Sequence, residues 1–129
     1  MKTEDKFDRC NIYEVQRSAT RAHGGEGYLS FARLATRAAL SGACNFIDFT
    51  SMPPGSSIGF HTHGMDEEEF YLILEGEGTM QRDGQAFLVR SGDLVRNRPG
   101  GTHSLVNTGS TDLKLFVFEV AAVQGSIHT

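Results

Sequence analysis

An all-β fold, a sandwich or barrel of short antiparallel strands, is the class this sequence predicts, on three observations. Aromatic and aliphatic residues gather in runs short enough to be strands. Turn residues punctuate those runs at regular spacing, and no sustained 3.6-residue apolar period supports a helix. The length of 129 residues suits a single domain over residues 1–129.

The first 27 residues form a polar lead-in that either adds an edge strand or crosses onto a partner subunit. The strand-rich body runs over residues 28–120. In order, its clearest strands are Tyr28–Leu34, Asn45–Thr50, Glu69–Leu74, Ala86–Val89 and Leu113–Val120. The best helical candidate, Ala35 to Ala43, is short and contains Gly42. Turns are expected at Gly24–Gly27, Pro53-Pro54-Gly55, Arg82-Asp83-Gly84, Arg90-Ser91-Gly92, Pro99-Gly100-Gly101 and Thr108-Gly109-Ser110. Asp83-Gly84 between apolar runs is a hairpin signal, because a type I′ turn needs positive φ at both central positions. Gly24–Gly27 precedes no convincing helix, so it reads as a hairpin turn and not as a phosphate loop.

Composition excludes several function classes. Charged residues make up 22% and hydrophobic residues 39%, which fits neither disorder nor a membrane protein. No apolar run approaches the roughly 20 residues needed to span a bilayer. The mixed-charge start lacks the apolar stretch of a signal peptide, so a cytoplasmic location is expected. A net charge of −4 without a basic stripe argues against a nucleic-acid partner. Cys10 and Cys44 are expected to be reduced, and are too few and too far apart for a thiolate zinc site.

The informative stretch runs from Gly55 to Gly76. Side chains two apart on a strand share a face, so His61 and His63 project together with Cα atoms about 6–7 Å apart. Two imidazoles at that separation can converge on one ion with bonds of about 2.1 Å. A polar loop then reverses the chain, and the Glu67–Glu69 run brings a carboxylate beside them. A third imidazole, His103, opens the strand after the Pro99-Gly100 turn. Three neutral imidazoles and one carboxylate suit a single divalent transition metal, Fe(II), Mn(II), Ni(II), Co(II) or Zn(II), in preference to Ca(II).

These residues resemble the cupin superfamily. Gly55, His61, His63, Glu69 and Gly76 fall on its first motif, G(x)5HxH(x)3–4E(x)6G, with one loop residue extra. Gly92, Gly100, His103 and Asn107 fall on its second, G(x)5PxG(x)2H(x)3N. The resemblance implies a jelly-roll barrel (a double-stranded β-helix) of two packed antiparallel sheets, usually dimeric, with the metal held inside by His61, His63, Glu69 and His103. Two departures stand out. Counting back from Gly76 selects Glu69, whereas counting forward from His63 selects Glu68 or Glu67. Glu69 is favoured, because an extra residue fits a loop more easily than a strand. Arg98 stands where the motif has proline, with Pro99 beside it to restrict φ one place later.

Four protein ligands on an octahedral ion leave about two positions open, which marks a reactive metal and not a structural one. The leading expectation is a metal-dependent enzyme acting on a small oxygen-rich organic molecule, with dioxygenase chemistry ahead of isomerisation or cyclisation. The rival is a non-catalytic module in which the metal anchors a sugar or organic acid. Tyr71, two residues past Glu69, and Leu105, two past His103, are candidate pocket residues. Phe116 and Phe118 are expected in the core. Arg98, His23 and His128 are expected to be exposed. Ligating imidazoles must be neutral, so metal affinity is expected to fall below about pH 6.5.

Overall fold

The computed structural model describes residues 7–123. Ten strands account for most of them: β1 (Ser18–Thr20), β2 (Leu29–Thr36), β3 (Cys44–Met52), β4 (Ser57–Thr62), β5 (Glu67–Glu75), β6 (Glu77–Arg82), β7 (Gln85–Arg90), β8 (Leu94–Asn97), β9 (Thr102–Val106) and β10 (Leu113–Ala121). Six of them form one sheet in the order β1-β2-β3-β10-β5-β8, and four form a second in the order β4-β9-β6-β7. Every pairing is antiparallel. The two sheets pack face to face as an all-β jelly roll.

The Ala35–Ala43 stretch does not become an α-helix. Ala35 and Thr36 extend β2, and a 3-10 turn at Arg37–Ala39 is the only helical element among the described residues. Among the described residues no helix is long and apolar enough to cross a membrane. Cys10 and Cys44 are both free, the first exposed and the second half-buried.

Strand parity decides what enters the core. On β10, Leu113, Leu115 and Val117 are buried and pack against Met80 and Leu105 of the smaller sheet. Phe116 and Phe118 lie on the opposite face and are only partly buried, so the expectation that they are core is corrected. They have even parity on a strand whose odd positions point inward. Phe118 stacks on Phe70 there, with ring centroids 4.9 Å apart.

The lead-in bridges the two sheets. β1 edges the larger sheet through pairs such as Thr20 with Leu29. The loop after it then zips onto β4 of the smaller sheet: the Gly59 amide donates to the Ala22 carbonyl (3.1 Å) and the Ser57 amide to the Glu26 carbonyl (2.9 Å). This approach is so close that only glycine fits on either side. A Cβ on Gly59 would run into the His23 carbonyl oxygen, and one on Gly25 into that of Ser57. Gly59→Ala is therefore expected to destabilise the fold by about 1–3 kcal/mol, read as a lowered midpoint in chemical denaturation. An unchanged midpoint would show that loop and strand can part freely.

Candidate metal centre

The four side chains expected to hold a metal are brought together from both sheets. His61 on β4 and His103 on β9 are register partners in the smaller sheet. His63 follows just past the end of β4, where its amide donates to the Gly101 carbonyl (3.0 Å). That carbonyl belongs to the turn Arg98-Pro99-Gly100-Gly101, closed by the Gly101 amide on the Arg98 carbonyl (3.0 Å). Pro99 takes the second position and Gly100, at φ +74°, the third, as a type II turn requires. The proline displaced by one place still makes a turn, and Arg98 is exposed on it.

Glu69 faces these imidazoles from β5 of the larger sheet. One ligand atom from each of His61, His63, Glu69 and His103 lies within 4.8 Å of the others, so the cluster could hold a metal ion. Glu69 Oε1 stands 3.2 Å from His63 Nε2 and 3.1 Å from His103 Nε2. Neither of the other two glutamates joins this set of four, although Glu67 Oε1 lies 3.9 Å from His63 Nδ1 on its far side. Glu68 points outward and pairs with Arg96, while Glu67 accepts the Gly64 amide (2.7 Å).

What lies behind each imidazole sets which nitrogen is free. His61 Nδ1 donates to the Gly59 carbonyl (2.9 Å), leaving Nε2 as the lone pair. His63 Nδ1 faces Glu119 Oε1 at 3.3 Å, and the Asn45 amide group donates to Glu119 Oε2 (3.0 Å). His63 Nε2 is buried, close to Glu69, and makes no well-directed hydrogen bond. A buried nitrogen left without a bond and aimed at the cluster fits a metal ligand. His103 Nδ1 is also buried without a partner.

A cavity of about 310 Å³ opens beside the cluster. Tyr71 lines it, is 2% exposed, and places its hydroxyl 3.2 Å from His103 Nε2. Leu105 is fully buried among core residues and does not line the cavity. His23 is exposed and also borders the cavity, with its ring stacked on that of His61 (3.6 Å between centroids, 7° between planes). It holds φ +50°, an uncommon conformation for a residue with a side chain. His128 lies outside the described residues.

The cupin domain family matches residues 48–119. The chain belongs to the cupin family. An oxalate-binding protein of Thermotoga maritima is 37% identical over 91 residues, spanning 70% of this chain and 74% of that protein. A crystal structure from the same organism, described as a predicted oxalate decarboxylase, superposes with a TM-score of 0.82 at 31% identity, covering 86% of this cupin and 96% of that chain. A cupin 2 conserved barrel domain protein from Salinispora arenicola gives a TM-score of 0.64 at 21% identity over 80% and 81% of the two chains, a likeness of fold alone.

Glu119 and then Glu69, one on either side, push the His63 imidazole up to about 10, against the effect of burial. Burial alone would raise Glu69, but the close approach of His103 and His63 overrides that and holds it at about 2. His61 is pushed down to about 4 by burial and is neutral at pH 7. His63 is thus the proton that a metal must displace. Below about pH 10 metal binding releases that proton, and affinity rises with pH by about one log unit per unit. The expected onset thereby moves well above the 6.5 of an ordinary imidazole. Chelator-competition titrations with nickel between pH 6 and 9 should keep rising throughout. A plateau above pH 7 would mean that His63 is already neutral. The linked stability has the opposite sense: the raised His63 supports the metal-free fold fully below pH 6.5, and that support is lost as pH climbs through about 10.

Proposed function

We propose that this cupin holds one divalent transition metal on His61, His63, Glu69 and His103 and uses it to bind a small oxygen-rich organic acid of the oxalate type. The observation that carries the reading is the convergence of three imidazoles and one carboxylate, two of which, His61 and Glu69, also line the adjoining cavity. The oxalate-binding relative at 37% identity supports the choice of acid. When bound, the metal would supply Lewis acidity to a chelating oxygen ligand. The remaining tasks fall to the protein's own residues. Tyr71 is held as a phenol, because burial raises its pKa well above the usual value, so its hydroxyl can donate to the acid. The His23 ring stacks on His61 and borders the cavity beside it.

Calorimetric titration of nickel-loaded protein with oxalate tests this directly. One oxalate per chain is expected, with binding lost when the metal is removed. Following ¹³C-labelled oxalate by NMR then separates a binder, which returns it unchanged, from an enzyme, which does not. Equal oxalate affinity with and without metal would overturn the metal-anchored reading. The same reading takes the protein as a homodimer, as its family resemblance implies, and sedimentation equilibrium tests that.

A further inference from the structure

The cavity has a second polar end, formed on the larger sheet away from the imidazoles. Arg33 on β2 grips Asp48 on β3 with a two-pronged bond, Nε to Oδ1 at 2.9 Å and Nη2 to Oδ2 at 3.0 Å. Both residues line the cavity together with His61, Glu69 and Tyr71. The guanidinium plane is held further by Phe46, whose ring centroid lies 4.4 Å from Cζ, and by Phe31 at 5.6 Å. Asp48 is 5% exposed, whereas the Arg33 side chain is nearly half exposed. Among the described residues no acceptor bonds Nη1, so the fork is fixed in place with one free donor edge.

Register fixes how far this end lies from the cluster. Arg33, Asp48, Val117 and Tyr71 form one row across β2, β3, β10 and β5. At about 4.8 Å per strand, the backbones of Asp48 and Tyr71 are about 10 Å apart. Asp48 and Glu69 line the cavity and Glu119 lies against His63 Nδ1, all three buried. Both oxygens of Asp48 are neutralised by Arg33, and the other two face His63.

We propose that Arg33 is the specificity-determining residue of this cavity. It takes the second carboxylate of a short dicarboxylate whose first carboxylate sits at the His61, His63, Glu69 and His103 cluster. Asp48 serves to aim the guanidinium, leaving Nη1 to the ligand. The inference rests on the metal-anchored reading above and adds to it the residue that selects for a second carboxylate.

The test titrates nickel-loaded protein with oxalate, malonate and glycolate. Glycolate can chelate a metal but has no second carboxylate. The wild-type protein is expected to bind both dicarboxylates at least about tenfold more tightly than glycolate. Arg33→Gln should weaken the dicarboxylates by about tenfold to a hundredfold, leaving nickel affinity and glycolate binding unchanged. Because that change strands the Asp48 carboxylate, the double variant Arg33→Gln with Asp48→Asn, which removes both charges, is measured beside it. Arg33→Lys, which keeps the charge but has no fork to share between Asp48 and ligand, should recover only part of the loss. Unchanged dicarboxylate affinity in both glutamine variants, or an equal fall for glycolate, overturns the role of Arg33. If nickel-loaded wild-type protein binds none of the three acids, the metal-anchored reading itself fails, and the clamp with it.

Discussion

Replacing His103 with alanine is expected to strip the metal while leaving a folded protein. His103 is 1% exposed, and its Nε2 lies within reach of both Glu69 (3.1 Å) and the Tyr71 hydroxyl (3.2 Å). Removing it takes away one of four inward-facing donors, and the remaining three cannot move in, because each is fixed from behind or by its strand. Outer-shell changes typically cost 10–100-fold in metal affinity, so loss of a direct ligand should exceed about a hundredfold. The fold should bear the change at about 1–3 kcal/mol, since the core proper is built from Met52, Leu113, Leu115 and their neighbours. Metal content after dialysis against a weak chelator, read beside a denaturation curve, separates the two effects. Full metal retention in a folded His103→Ala protein would remove this residue from the ligand set.

The fold was legible because strand physics is local. Period-two alternation and glycine- or proline-bearing turns place β2, β3, β5, β7 and β10 within two residues of their observed ends. β6 and β8 are harder to see, since Glu77-Gly-Thr-Met-Gln-Arg and Leu94-Val-Arg-Asn are short, polar and weakly patterned. The convergence of His61, His63 and His103 could be anticipated because two of them share a strand face and the third opens a strand behind a proline turn. The residues around them were not anticipated, for reasons that differ.

Glu119 carried a usable signal. It has odd parity on β10, the parity of Leu113, Leu115 and Val117, and a lone acid on the buried face of an apolar strand requires a partner. Asp48 is the same kind of case, a buried acid on β3 whose partner Arg33 lies fifteen residues earlier in the chain. His23 carried no signal. Its place beside His61 depends on the glycine-to-glycine contact of a loop with β4, a long-range fit that no local period encodes.

That buried acid leads to the second large effect. Glu119→Gln is expected to weaken nickel binding by about tenfold and Glu119→Ala by up to about a hundredfold at high pH, although Glu119 is not among the four converging side chains. Its carboxylate faces His63 Nδ1, is itself held by Asn45, and sits opposite Glu69 in the β10–β5 register. An acceptor there keeps the proton on Nδ1, which leaves Nε2 as the lone pair facing the cluster and makes that nitrogen more basic. The same carboxylate is the largest cause of the raised His63 pKa, so it strengthens the competing proton as well as the metal. Removing it has two opposed consequences. At high pH, where no proton competes, the full loss of affinity appears. Near pH 6, where the wild-type His63 must first be deprotonated, part of that loss is returned because the variant imidazole lets its proton go more easily. The log-affinity curve of Glu119→Gln should therefore level off at a lower pH than that of the wild type. A residue that merely fills space would lower affinity by the same factor at every pH. Parallel wild-type and variant curves between pH 6 and 10 would assign Glu119 that lesser part.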